Sequence, residues 1–144
     1  MIIHTTAEWL SLVKNMENEA AGFYEAVAAK YPKGTDTFSS LARDCRKYAN
    51  QIEMAYYSVI SDALEGCFAL NLETDNYVFD TSLAAGAGFA DAVKKVIAIE
   101  EILANFYTDA AAQCEAVMAD VPRVMNQIAQ RRKKRQAELQ ALLT

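Results

Sequence analysis

Apolar residues in this chain recur at alternating spacings of three and four over long stretches, which marks one face of an α-helix and not the alternation of a strand. The first such stretch, about Thr6 to Tyr31, has an inward stripe of Leu10, Val13, Glu17, Ala20, Tyr24 and Val27, and Pro32 with Gly34 closes it. A second opens near Thr35 or Asp36, either of which can cap it, and continues to the neighbourhood of Gly66. Its inner face reads Phe38, Leu41, Cys45, Tyr48, Ile52. A third helix covers about 89–117, with Val93, Val96, Glu100, Leu103, Tyr107 and Ala110 inward. Asp120, with Pro122 at the first helical position, opens a fourth that lasts almost to Thr144 and turns Met125, Ile128, Arg132, Arg135, Leu139 and Leu142 inward. Between the second and third, CFALNLETDNYVFDTSLAAGAG (67–88) loses the helical period and is too long for a tight turn. The pattern predicts an all-α fold of two helical hairpins joined by one long crossover.

The halves also repeat. MENEAAGFYEAVAA and IEEILANFYTDAAA each place a Glu six residues before a Phe-Tyr pair: Glu17 before Phe23 and Tyr24, Glu100 before Phe106 and Tyr107. FSSLARDCRKYANQI and MNQIAQRRKKRQAEL align as well, setting Cys45 against Arg132 and Tyr48 against Arg135. A pseudo-twofold bundle accounts for both matches. Equivalent seam positions meet at one level of such a bundle, so Glu17, Glu100, Arg132, Arg135, Cys45 and Tyr48 are expected to share a central site. Two carboxylates and two guanidiniums would sum to zero there, and the planar fork of Arg suits carboxylate pairing. The tyrosines at helical spacing are expected to pack in the core, with hydroxyls reaching the polar site where they can.

A Glu with Phe-Tyr in both halves, each followed by a matching helix carrying FSSLA or the looser MNQIA, spans nearly the whole chain and resembles the rubrerythrin-like branch of the ferritin-like proteins. The resemblance implies a single domain over 1–144, built as a ferritin-like four-helix bundle. It also implies a di-iron centre, with one Glu from each of the first and third helices and a Glu-x-x-His from each of the second and fourth. Residues three apart project together on a helix, and carboxylate with imidazole suits iron. Taken residue by residue, Glu17 and Glu100 match the first-helix and third-helix ligands. Cys45 and Tyr48 stand in the Glu-x-x-His of the second helix, and Arg132 and Arg135 in that of the fourth. The single histidine, His4, lies outside the seam, and the paired CxxC motifs of a fused rubredoxin domain are absent.

Composition adds less. Apolar residues make up 53% of the 144, somewhat more than a soluble domain usually carries, which points to a homo-oligomer, and the resemblance implies a homodimer or a higher assembly. The N-terminus lacks the pattern of an export signal and no stretch is apolar enough to span a bilayer, so a cytoplasmic protein without membrane contact is expected. Cys45, Cys67 and Cys114 are odd in number and widely spaced, which fits reduced thiols. The run QRRKKR (130–135) stands out in a chain of net charge -5, yet it lacks the interleaved aromatics of a single-strand binder, and no nucleic-acid contact is expected. Arg131, Lys133 and Lys134 fall on the flanks and outer face of their helix. Gly86 and Gly88 lack the third glycine and preceding strand of a phosphate loop.

The expectation is therefore a divergent rubrerythrin-like protein that has lost its di-iron site. A buried Glu17, Glu100, Arg132, Arg135 cluster replaces it, with no catalytic residue, no cofactor, and a structural or protein-interaction role. A rival expectation is an oxidase or peroxidase of rubrerythrin type that keeps iron or another divalent metal on Glu17 and Glu100 with added ligands such as Glu101 or Glu53. A second alternative is a small ligand in the bundle core, where Ala20 and Ala110 leave space. Cys45 and Tyr48 read either as plain packing or as a redox pair whose thiol pKa is lowered by the neighbouring arginines.

Overall fold

A computed structural model of the chain describes residues 2–3, 6–59, 71–114 and 120–144. Its helices are α1 (Thr6–Lys30), α2 (Thr35–Val59), α3 (Phe89–Cys114) and α4 (Asp120–Ala141). The two-residue strands β1 (Ile2–Ile3) and β2 (Leu72–Glu73) pair antiparallel, Ile2 with Glu73 and Ile3 with Leu72. Apart from that short pairing, the described residues form an all-α bundle. The expected continuation of the second helix to Gly66 and of the third to 117, with His4, Cys67 and the Cys114 side chain, lie outside the described residues. No described helix is long and apolar enough to cross a membrane.

Local chemistry explains the breaks. Tyr31 is extended, as the residue before a proline tends to be, and Pro32–Gly34 form one tight 3-10 turn. A Cβ on Gly34 would lie 2.5 Å from the Phe38 ring, so only glycine lets α2 fold back this closely. Thr35 does not act as the expected cap of α2. It is the first residue of that helix, and its hydroxyl donates to the Ala28 carbonyl at 2.7 Å, satisfying the end of α1 instead. At the start of α3, Asp91 accepts from the Gly88 amide at 3.0 Å while Ala92 donates to the Gly88 carbonyl, so Gly88 is the capping residue.

Helix α1 packs along α2 and α3 along α4, and the hairpins meet through α2 on α4 and α1 on α3. The crossover runs the length of the bundle. Asn71 is bonded to Gln113 near the end of α3, Tyr77 donates to Asp109, Asp80 pairs with Lys95, and the Ala87 carbonyl accepts from Tyr31 at the far end of α1. Phe89 there packs against the rings of Tyr31 and Phe38. The chain therefore returns to the α1–α2 turn before starting α3, which leaves α3 parallel to α2 and α4 parallel to α1.

The expected seam is the core. Every seam position named from the sequence is buried except Arg135 and Leu142, which are half-buried. Around it sit Trp9, Phe106 and Ile99, fully enclosed side chains that each contribute about 1.5–3 kcal/mol of burial. Ala20 and Ala110 are sealed within the same core.

Candidate functional site

At mid-height each helix offers the seam one polar or polarisable group, and the heptad spacing within α1 and α3 brings a second, the tyrosine two turns on. Glu17 and Glu100 are buried, and Arg132 is 1% exposed between them. The Arg132 Nη2 donates to Glu17 Oε1 at 2.6 Å, while its Nε stands 3.8 Å from Glu100 Oε1, an ion pair without a hydrogen bond. The second oxygen of each carboxylate is taken by a tyrosine of the opposite half. Tyr107 donates to Glu17 Oε2, and Tyr24 donates to Glu100 Oε2 at 2.7 Å. The internal repeat thus becomes a crossed pair of Tyr–Glu bonds: the Glu of one half is held by the Tyr of the other.

The pseudo-symmetry ends at α2 and α4. Arg132 fills the centre from α4, and its counterpart on α2, Cys45, accepts a long contact from Nη2 at 3.6 Å. Tyr48 and Tyr107 cover the guanidinium with their rings, at 4.8 and 5.5 Å from the ring centres. These π faces offset part of the cost of burying Arg132 Nε and Nη1, which have no hydrogen-bond partner.

The electrostatics follow from that enclosure. Burial pushes the Glu17 carboxyl above its ordinary range, against the pull of Arg132 and the Tyr107 hydroxyl. Burial disfavours charge on Arg132 too, but the Glu17 and Glu100 carboxylates outweigh it and hold the guanidinium firmly protonated. Burial, then the nearby carboxylates, keep the Cys45 thiol and the Tyr24 and Tyr107 phenols protonated well past their usual values. The idea that neighbouring arginines lower the Cys45 pKa is therefore reversed, because desolvation and Glu17 act the other way. Tyr48 is pushed up to about 12 by burial and by Asp44.

Glu17, Cys45, Tyr48, Glu100 and Arg132 come together as the sequence suggested. Arg135 does not. It lies at the bundle margin, where Nη1 reaches Asp44 and, at 3.1 Å, the Ser40 hydroxyl, and Nε lies 3.3 Å from Glu138. Spacing does not exclude it from the centre, since Cys45 and Tyr48, also three apart, both reach the site; the long Arg135 side chain instead swings its head to the rim, where Asp44 and Glu138 hold it. The sealed site therefore holds two carboxylates and one guanidinium, not the balanced set expected. The two phenol donors and the raised Glu17 pKa are what compensate.

A di-iron centre needs several carboxylate and imidazole donors around an open space. Here the space between the carboxylates holds a guanidinium, and among the described residues no group of three or more His, Cys, Asp or Glu gathers as a metal site. Glu53 instead pairs with Lys14 on the outside at 3.4 Å, and Glu101 is exposed, so neither joins Glu17 and Glu100. The residues present do not fit the metal.

The hydroxyls of Tyr24 and Tyr107 reach the polar site as expected, and each goes further in holding a carboxylate of the opposite half. Their signal lay in the repeat itself, which keeps each Glu and its Tyr seven residues apart on one helix face. No family model, no characterised protein and no solved structure matches the chain.

Proposed function

We propose that this protein is a ferritin-like bundle of the rubrerythrin-like branch in which an arginine has displaced the metal centre, and that it works by binding or scaffolding, as a cytoplasmic homo-oligomer, and not as a di-metal oxidoreductase. The observation that carries the reading is the Arg132 guanidinium lodged between Glu17 and Glu100, 2.6 Å from the first. A fixed cation at that point repels a divalent ion and, with the two phenol donors, supplies the compensation the carboxylates require. The crossover that spans the bundle and the Glu-Phe-Tyr repeat support the ferritin-like part. Met54 and Tyr57, three apart on α2 and 73% and 66% exposed, support the interaction part, because large exposed apolar side chains on one face are what a partner covers.

Metal content decides the matter. Protein expressed in iron-replete medium and assayed by mass spectrometry for iron, manganese and zinc should hold far less than one ion per chain. A tightly held load of about two ions per chain would overturn the reading.

A further inference from the structure

Helices α2 and α4 part slightly beside the sealed site and leave a groove of about 280 Å3. Asp44, Lys47 and Tyr48 line it from α2, and Arg131, Lys134 and Arg135 from α4. On each helix the spacing is i, i+3, i+4, so two neighbouring triplets face each other across one turn. Four cations thus surround a single carboxylate. Asp44 is engaged with Arg135, which Glu138 and Ser40 also hold, so that guanidinium is fixed in place. Among the described residues Lys47, Arg131 and Lys134 have no ion-pair or hydrogen-bond partner, and neither does the Tyr48 hydroxyl. This concentration of positive charge is at odds with a chain of net charge -5.

We propose that the groove binds a small ligand carrying a phosphate group. Lys47, Arg131 and Lys134 would meet its charge, and the Tyr48 hydroxyl would donate to an oxygen. Unpaired cations converging from two helices suit a compact dianion better than a single carboxylate. Size argues the same way. Ligand pockets run from about 300 to 1,000 Å3, so this groove sits at the small end and takes a phosphate with a modest organic part. Residues i to i+4 span only about 6 Å of helix, too short to track a nucleic-acid strand, and a lone aromatic offers no series of stacking platforms. The proposal rests on the α2–α4 surface alone and stands whatever the metal content of the buried site.

The test is a titration of the whole protein with methyl phosphate and with inorganic phosphate, followed by backbone amide shifts. Saturable shifts confined to 44–48 and 131–135 are expected, with a Kd on the order of 1 mM or tighter. The double variant Arg131→Gln, Lys134→Gln should weaken binding about tenfold or more, and Lys47→Gln, on the opposite wall, should weaken it independently. Lys133→Gln, exposed and outside the groove, should leave it unchanged. Because all four positions are exposed, spectra away from the groove should superpose on the parent and show that each variant is folded. Shifts that fail to saturate, or equal losses in Lys133→Gln, would show only diffuse charge screening and overturn the proposal. So would an acidic peptide or a single-stranded oligonucleotide that moves these amides where methyl phosphate does not.

Discussion

Arg132 and Arg135 stand one turn apart on α4, and both reach across to acids on other helices. Their surroundings differ in the one respect that sets the energy of an ion pair. Arg132 and Glu17 are 1% and 0% exposed, whereas Arg135 is 19% exposed and its partners Asp44 and Glu138 are 30% and 50% exposed. Water still solvates and screens the outer group, so losing a partner there leaves an ion that solvent can take over. The inner group is sealed from bulk solvent, and each charge in it depends on the others. Similar contact distances therefore describe two different things: a determinant of whether the bundle folds, and a surface arrangement that orients a guanidinium.

Removing each arginine should separate the two most sharply. Arg132→Ala leaves Glu17 and Glu100 sealed together without a cation, and should lower stability by about 3–5 kcal/mol in chemical denaturation, the usual cost of stranding a buried charge. A loss below about 1 kcal/mol would mean that water enters the site and that the contrast with Arg135 is one of appearance only.

Much of this was readable from spacing. Glu17, Glu100 and Arg132 interrupt otherwise apolar stripes, and helical period alone places them at one depth. Arg135 was misplaced because a stripe of threes and fours treats i and i+3 as equally inward. A long side chain on the stripe's edge can instead swing its head to the rim, where Asp44 waits on a face of α2 that the apolar pattern never described. The crossed Tyr–Glu bonds were half legible: the repeat gave the equivalent positions, but which half pairs with which depends on how the hairpins dock. The β1–β2 pairing was invisible, since two-residue strands carry no period. The groove over Tyr48 escaped for a related reason. Arg131 and Lys134 read as one charged outer face until the neighbouring helix showed which of them share a wall with Lys47.

Proton linkage gives a second and smaller separation. In the unfolded chain a cysteine ionises near 9.0 and a tyrosine near 10.0, while the folded protein keeps Cys45, Tyr24 and Tyr107 protonated to higher pH, burial being the largest cause in each case. Above about pH 9 the folded state thus binds more protons than the unfolded one, and stability falls as pH rises, by up to about 1.4 kcal/mol per unit for each group. Glu17 carries the same sign lower down. Its folded pKa is raised, so the stability linked to it is full below the ordinary carboxylate range and declines as pH climbs through the raised value. Urea midpoints measured from about pH 8 to 10.5 should show the alkaline decline, and Tyr107→Phe should make it shallower by one group's share. A flat profile would place these groups in contact with water, as Arg135 is.

The smallest effect belongs to the rim. Arg135→Ala should cost no more than about 1 kcal/mol, and a double-mutant cycle with Asp44→Ala should give a coupling of about 0.2–1 kcal/mol that shrinks as salt is added. The short Arg135–Asp44 contact alone would suggest more, since it is as close as the Arg132–Glu17 pair. It does not follow, because an exposed pair trades hydration for contact at nearly equal return and must also immobilise two flexible side chains. A coupling of several kcal/mol, insensitive to salt, would show that the groove walls exclude water as completely as the core does. Arg135 would then belong with Arg132 after all, as one continuous buried charge system running from the seam to the rim.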